Sequence, residues 1–426
     1  MVASSSSTES DQPLAGARGD ESAKAGYGAV FAVKEFRAVF VAHILSVLGS
    51  VLAEVSLAVL VFRQTGSALL TALVFALGFL PYALSGVALS GIADRYPPRR
   101  VLVACDLLSA GCVMLMAIPA TPIAVLFLLR FAVSMISPLF TGTRAASLAD
   151  ILQGDRYVLG RSLIRIVSQG SQVIGYGLGG LALAWVSPRT ALRVTILTFL
   201  CSALLLRLGT RDRPARVSGS GAMTRDSIAS AGRLLGDARI RALLLMWWVP
   251  PMFFVVAEGV AAPLAAASGA GSAGFGLFLA AMPVGTVVSE ALIGTLLGPA
   301  ARDRLTLPLA AVSLVPMIAF AVHPPLPLAT GLMLLTGLCA AYTLGMDRWF
   351  VEAVPETMRG QAMSLLGAGI MTLQGLGMAV GGAVAAVVPP FIVICAAGLL
   401  GTVSVLGVLR SVRRQSAPSR AGRRPG

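Results

Sequence analysis

The stretch GIADRYPPRRVLV, residues 91–103, sets four charges (Asp94, Arg95, Arg99 and Arg100) within seven residues. Apolar runs flank it on both sides, at 69–91 and 101–119. Each is close to the roughly 20 residues with which a helix crosses the hydrocarbon core of a bilayer. Gly91 permits a tight exit from the first run, and Pro97-Pro98 precede the second. The stretch therefore reads as a short charged turn between two membrane-spanning helices.

Working outward from this turn, the same pattern repeats along the chain. Twelve apolar stretches follow one another: 38–62, 69–91, 101–119, 122–141, 162–186, 191–207, 242–264, 274–298, 305–322, 327–346, 364–387 and 391–410. The composition agrees. The chain is 56% hydrophobic and 12% charged, with mean hydropathy +0.84, whereas soluble domains carry about 25% charged residues. One aqueous core cannot hide so much apolar surface, and in a bilayer helices satisfy their own backbone groups. The expected fold is an all-α membrane protein of 12 transmembrane helices.

The longest polar break, residues 208–241, divides the twelve into two groups of six. The expected organisation is a disordered cytoplasmic N-tail over 1–36, a six-helix bundle over 37–207, and a linker over 208–241. A second six-helix bundle follows over 242–410, then a basic cytoplasmic C-tail over 411–426. With the N-terminus inside, the connections on the cytoplasmic side carry 29 basic residues and those outside carry 3, Arg63, Arg189 and Arg193. Basic residues collect on the cytoplasmic side, so both termini are expected there.

The net charge of +14 does not point to nucleic acid, because the basic residues are spread through short connections and form no single face. The five cysteines (Cys105, Cys112, Cys201, Cys339, Cys395) lie in apolar segments at no metal-ligand spacing, and no disulfide framework or cofactor is expected. Residues 1–26 have no apolar core of a signal peptide. A membrane enzyme would need a catalytic signature. The sequence has no HExxH, no GxxxxGK[ST] and only two histidines, His43 and His323, so neither zinc hydrolysis nor ATP hydrolysis is expected.

The two groups of six resemble each other at an offset near 202–204. AEVSLAVL from Ala53 matches AEGVAAPL from Ala257, pairing Glu54 with Glu258. Gln172, Gly175, Gly179, Gly180 and Pro188 recur as Gln374, Gly377, Gly381, Gly382 and Pro390. Parallel repeats related by an axis along the membrane normal are a transporter arrangement, and the two bundles are expected to be pseudo-symmetric.

The 91–103 turn resembles the helix 2–3 signature of the major facilitator superfamily, Gly-x-x-x-Asp-Arg followed by paired basic residues. The likeness extends over nearly all of 36–410. The segment 36–81 is similar to the opening of the drug-efflux branch that includes macrolide and siderophore exporters. VPETMRGQAMSLL from Val354 resembles the helix 10–11 loop. Leu129-Arg130 with Ser134 resembles the family's helix 4 arginine motif, and GYGLGG, Gly175–Gly180, its antiporter motif. Ser134 stands where that family has Gly, Tyr176 where it has Pro, and Ser171 where it has an upstream Gly. The resemblance implies that Asp94, Arg95 and Arg99 form a charge cluster that latches one conformation, with Gly91 and Arg100 completing the signature. It also implies that helices 1, 4, 7 and 10 line a central cavity.

Ionisable residues inside spanning helices are functional candidates. They are His43, Glu54, Asp106, Arg130, Arg165, Glu258 and Glu290. Asp106 and Arg165 lie near cytoplasmic ends, where water is expected to reach them. Counted at 1.5 Å per residue, Glu54 and Arg130 both sit roughly 12–14 Å below the outer boundary. Glu54, Arg130 and Glu258 are thus the candidate proton-coupling set, with a fixed structural ion pair as the alternative. A carboxyl that alternates between burial and a nearby cation can take up and release a proton. The glycines Gly175, Gly179 and Gly180 serve either close helix packing or coupling. On helix 7, Trp247, Trp248, Phe253 and Phe254 flank Pro250-Pro251, a pair that invites a kink. Candidate substrate-lining groups are Trp248, Gln172, Tyr176 and Gln374, with Tyr82 and Tyr342 beside them.

The expected function is a secondary active transporter exporting a small, amphipathic or drug-like organic molecule in exchange for protons. The expected setting is the plasma membrane, with the lipid bilayer, the substrate and protons as partners and a monomeric state. An uptake symporter or facilitator on the same fold is the alternative, and a polytopic membrane enzyme a more distant one.

Overall fold

The computed structural model describes residues 27–81, 96–153, 155–215, 231–355 and 358–416. Regular structure among them is helical throughout. A short α1 (Tyr27–Phe31) precedes α2 (Lys34–Thr65) and α3 (Ala68–Phe79). Then come α4 (Pro98–Met116), α5 (Ile123–Ile151), α6 (Asp155–Ala182) and α7 (Pro188–Gly209). The second half holds α8 (Ala238–Gly259), α9 (Ala261–Ala267), α10 (Gly271–Leu296), α11 (Pro299–Val312) and α12 (Val315–Ile318). It ends with α13 (Leu326–Cys339), α14 (Thr343–Ala353), α15 (Arg359–Val384) and α16 (Pro390–Ser416).

Helix occupies part of each of the twelve apolar stretches. Among the described residues, nine helical segments are long and apolar enough to cross a membrane. Local chemistry sets the ends. Gly66, at φ 62°, closes α2 with its N–H on Phe62 O at 2.8 Å. Ser67 caps α3, Ser187 caps α7, and the Asp237 carboxylate accepts from Arg239 N and Ile240 N to start α8. These oxygens satisfy N–H groups that the first turn leaves orphaned.

Several ends differ from the sequence reading. Residues 27–36 are not part of a loose tail: Val30 and Phe36 are buried, and Phe31 meets Phe36 and Phe40 edge-on. Aromatic burial there overrides a polar context. The segment read as a linker over 208–241 holds helix from 231 and a buried Leu234. The last helix runs to Ser416, into the segment read as a tail. The seventh stretch does not break at its double proline. The helix α8 continues through Pro250-Pro251 and stops at Val260. The ninth stretch is broken near Ser313-Leu314. Pro316, without an N–H, starts α12, which runs into a 3₁₀ turn over Ala319–Val322.

Within the first half, α2 packs on α7, α6 and α3, and α4 packs on α5 and α7. In the second half, α8 packs on α15 and α16, and α10 on α13. The halves meet along α6 with α10 and α3 with α15. At the first seam a Cβ on Gly180 would land on the backbone of Gly276. At the second a Cβ on Gly382 would run into Ala72. Gly382 follows Gly180 by 202 residues, and Gly276 follows Ala72 by 204, so the repeat read in the sequence is also a repeat of contacts. All four residues lie near one end of their helices, the end where Gly66 turns. Large apolar side chains such as Leu128, Leu204 and Leu400 point outward and are 56–66% exposed, which suits a lipid surface and not water.

Candidate functional site

Arg130 of α5 donates from Nη2 to Oε1 of Glu54 on α2 at 2.5 Å, and from Nε to the carbonyl of Val74 on α3 at 3.1 Å. Three helices are thus tied at one guanidinium. Both side chains are largely buried, 12% and 13% exposed. The third helix can come so close because position 78 is glycine. A Cβ there would collide with the Arg130 guanidinium and press on the Glu54 carboxylate. Ser134, one turn on, returns its hydroxyl to Arg130 O at 3.0 Å. Arginine holds its charge when buried, so the carboxylate opposite it is what makes this position tolerable.

Glu258 sits in the last turn of α8, half-buried. It lies close enough to Glu54 for the two charges to act on each other. Tyr176 of α6, 4% exposed, lies within the field of Glu54, Glu258 and Arg130 together. The three candidates from the sequence therefore share one region, as a bonded pair with a second carboxylate across the junction of the halves.

The α6 glycines divide their work. A Cβ on Gly175 would push into Val51, and one on Gly179 would only touch Leu52, so both face α2. Gly180 faces α10 instead. Gln172 and Gln374 are half-buried on α6 and α15. Trp248 donates its indole N–H to Leu366 O at 3.1 Å and fills the space that Gly369 leaves open. Tyr342 is fully buried. Of the helix 2–3 signature, Arg99 pairs with Asp212 at 2.8 Å and Arg100 is exposed. Gly91, Asp94 and Arg95, like Tyr82, lie outside the described residues.

Asp106 is not wetted as its position near a helix end suggested. It is 2% exposed, and its carboxylate is met by Ser46 Oγ at 3.2 Å and Ser202 Oγ at 2.5 Å. Beside it His43, also 2% exposed, bonds Ser168 at 2.9 Å and Arg144. Sequence reasoning missed Arg144, Ser46, Ser202, Gly78 and Glu35 as partners. The signal that could have found part of this is the polar spacing His43, Ser46, Ser50, Glu54 along α2, which stays on one helix face.

A cavity of about 190 Å³ lies between α2, α9 and α10, walled by Phe62, Ala262, Ala265, Phe275 and Arg63. Drug-sized sites run to about 300–1,000 Å³, so this one is small for a drug-like ligand.

The chain matches the Major Facilitator Superfamily over residues 39–302, and it belongs to that family: it is a membrane transporter and not an enzyme. It is 24% identical to the multidrug efflux pump Tap of Mycolicibacterium fortuitum, across 76% of this chain and 83% of that protein. A local match, 27% identical, covers 20% of this chain and 21% of macrolide efflux protein A of Streptococcus pyogenes. Among solved structures, a peptide transporter POT in complex with sulfate aligns at TM-score 0.70 and 13% identity, over 92% of this chain and 96% of that one. A bacterial homologue of the iron transporter ferroportin aligns at TM-score 0.61 and 17% identity, over 88% and 98%. At these identities the structures share the fold.

Proposed function

We propose that this protein exports a small, moderately apolar organic molecule in exchange for protons, by alternating access between two six-helix bundles. Glu54 carries the proton, Arg130 is the counter-charge that receives or releases it, and Glu258 is the second carboxylate of the same step. The observation that carries this reading is the Arg130–Glu54 pair at 2.5 Å with Glu258 in range of it. When Glu54 takes a proton it loses its hold on Arg130, and the three helices tied there are free to shift. When it releases the proton the pair re-forms. Binding and protonation then compete for one arrangement, which is what exchange requires.

The names of the relatives, a multidrug and a macrolide efflux pump, favour export. Few charges stand inside the spanning helices, which favours an apolar cargo. The 29-to-3 charge bias favours both termini in the cytoplasm of a plasma-membrane protein. On that orientation the Gly180–Gly276 and Gly382–Ala72 seams lie at the outer end.

The test uses proteoliposomes with a pH-sensitive dye inside, an imposed proton gradient, and a panel of lipophilic cations and macrolides. Compound-driven proton movement that disappears in Glu54→Gln and Glu258→Gln is the expected result. Compound flux without proton movement would leave a facilitator, and the pair a structural clamp.

A further inference from the structure

The buried cluster at Asp106 has no part in the pairing of Glu54 with Arg130, yet one helix face links them. Along α2 the polar side chains fall at His43, Ser46, Ser50 and Glu54, three or four residues apart and so on one side. Ser46 Oγ donates to Asp106 Oδ1 at 3.2 Å. Ser202 of α7 lies 2.5 Å from Asp106 Oδ2 and 3.0 Å from Ala42 O. Ser50 Oγ donates to Ser46 O at 2.8 Å. Ser50 also lines, together with Glu54, Arg130, Val113 and Phe199, a small space about the size of one water. The row from Asp106 to Glu54 therefore runs inside the first half of the chain, between α2, α4, α5 and α7, and away from the seams where the halves meet.

We infer that this row is a proton path within the first half, joining Glu54 to the end of the molecule where α4 begins, through Ser50, Ser46 and Asp106. The inference rests on the reading of Glu54 as proton carrier. From Ser46 to Glu54 is eight residues, roughly 12 Å along the helix. That is too far for one hydrogen bond; Ser50 lies midway with its hydroxyl on the Ser46 carbonyl, and a water on either side of that hydroxyl completes the row. Each hydroxyl accepts one proton and passes one on, so the serines are unchanged after each transfer. The proton leaves the carboxyl of Glu54, and one is released from the buried carboxyl of Asp106 when opening of the packing between α2, α4 and α7 lets water reach it. The other ionisable groups around Asp106 are Arg144 from α5, His43 from α2 through its bond to Arg144, and Cys105 beside it. Arg144 gives Asp106 a nearby positive charge.

The experiment compares compound-driven proton movement with substrate counterflow, which needs no net proton transfer, in the same proteoliposomes. Ser50→Val fills the water's place and Asp106→Asn removes the titrating carboxyl. Both are expected to slow proton movement by about tenfold, an added barrier of about 1.4 kcal/mol, while counterflow stays within about twofold. Ser46→Ala serves where Asp106→Asn fails to fold, and is expected to act in the same direction. Wild-type proton movement in Ser50→Val and in either partner variant, with Glu54→Gln inactive, overturns the path and leaves the function standing. Proton movement retained in Glu54→Gln overturns the reading beneath it. Equal loss of counterflow and proton movement in these variants also overturns the path, and makes the cluster a buttress.

Discussion

Arg130 holds Glu54 across the gap between α5 and α2, and the two are unequal partners. A glutamate left alone can discharge by taking a proton, whereas an arginine stays charged. The exposure of both groups, 12% and 13%, leaves little water to compensate. Glu54→Gln should therefore destabilise more than Arg130→Gln, with a loss on the order of 3–5 kcal/mol for the stranded cation. The double variant should recover part of that loss. Thermal unfolding of the four proteins in detergent checks this, and equal, additive losses would refute it.

The seams make a second expectation. Gly180 and Gly382 occupy equivalent places in the repeat, and each lets a helix of the other half approach at a distance that a side chain forbids. Gly180→Leu and Gly382→Leu should each block transport, while Gly170→Leu should not, because nothing described lies within 4 Å of a Cβ there. Steric wedging at backbone contacts leaves no far end of a side chain to swing aside. Transport by all three variants at equal surface expression decides the matter.

At the other end, Arg211, Asp212 and Arg213 strap the start of the 208–241 segment down. Arg213 grips both carboxylate oxygens of Glu35, with Nη2–Oε2 at 2.9 Å, and Arg211 N adds a bond at 3.0 Å. The bond to Glu35 pushes the Arg213 guanidinium above its already high pKa, so it stays charged at every working pH. Glu35→Ala should cost roughly 1–3 kcal/mol for a two-pronged, charge-assisted contact. Arg99→Ala, which frees Asp212 at a more exposed pair, should cost at most about 1 kcal/mol. Added salt should erode the Arg99 contribution first. Melting curves at two ionic strengths distinguish these outcomes, and the reverse order would contradict them.

The all-helical, membrane-spanning character and the repeat were legible because they rest on long apolar runs and on residue spacing, which a sequence displays directly. Glu54 and Arg130 could be matched by depth, since each helix fixes depth at a known rise per residue. Their contact through Gly78 could not, because rotation about each helix axis is set by packing between helices far apart in the chain. Asp106 misled for the same reason: distance from a helix end says nothing of which way a side chain faces. The double proline does not end its helix. A proline pair removes hydrogen bonds, but packing of α8 against α15 and α16 keeps the helix continuous through it. The break falls at Val260, beside Glu258.

The two seams have a consequence for ancestry. Helix α6 meets α10 and α15 meets α3 through positions that exchange places under the 202–204 offset. A half-length chain that paired with its own copy about a two-fold axis would make one such contact twice. In this chain one copy of the contact has Gly276 where the other has Ala72. Each half retains one side of both contacts, so the halves produced as separate polypeptides carry the surfaces needed to find each other.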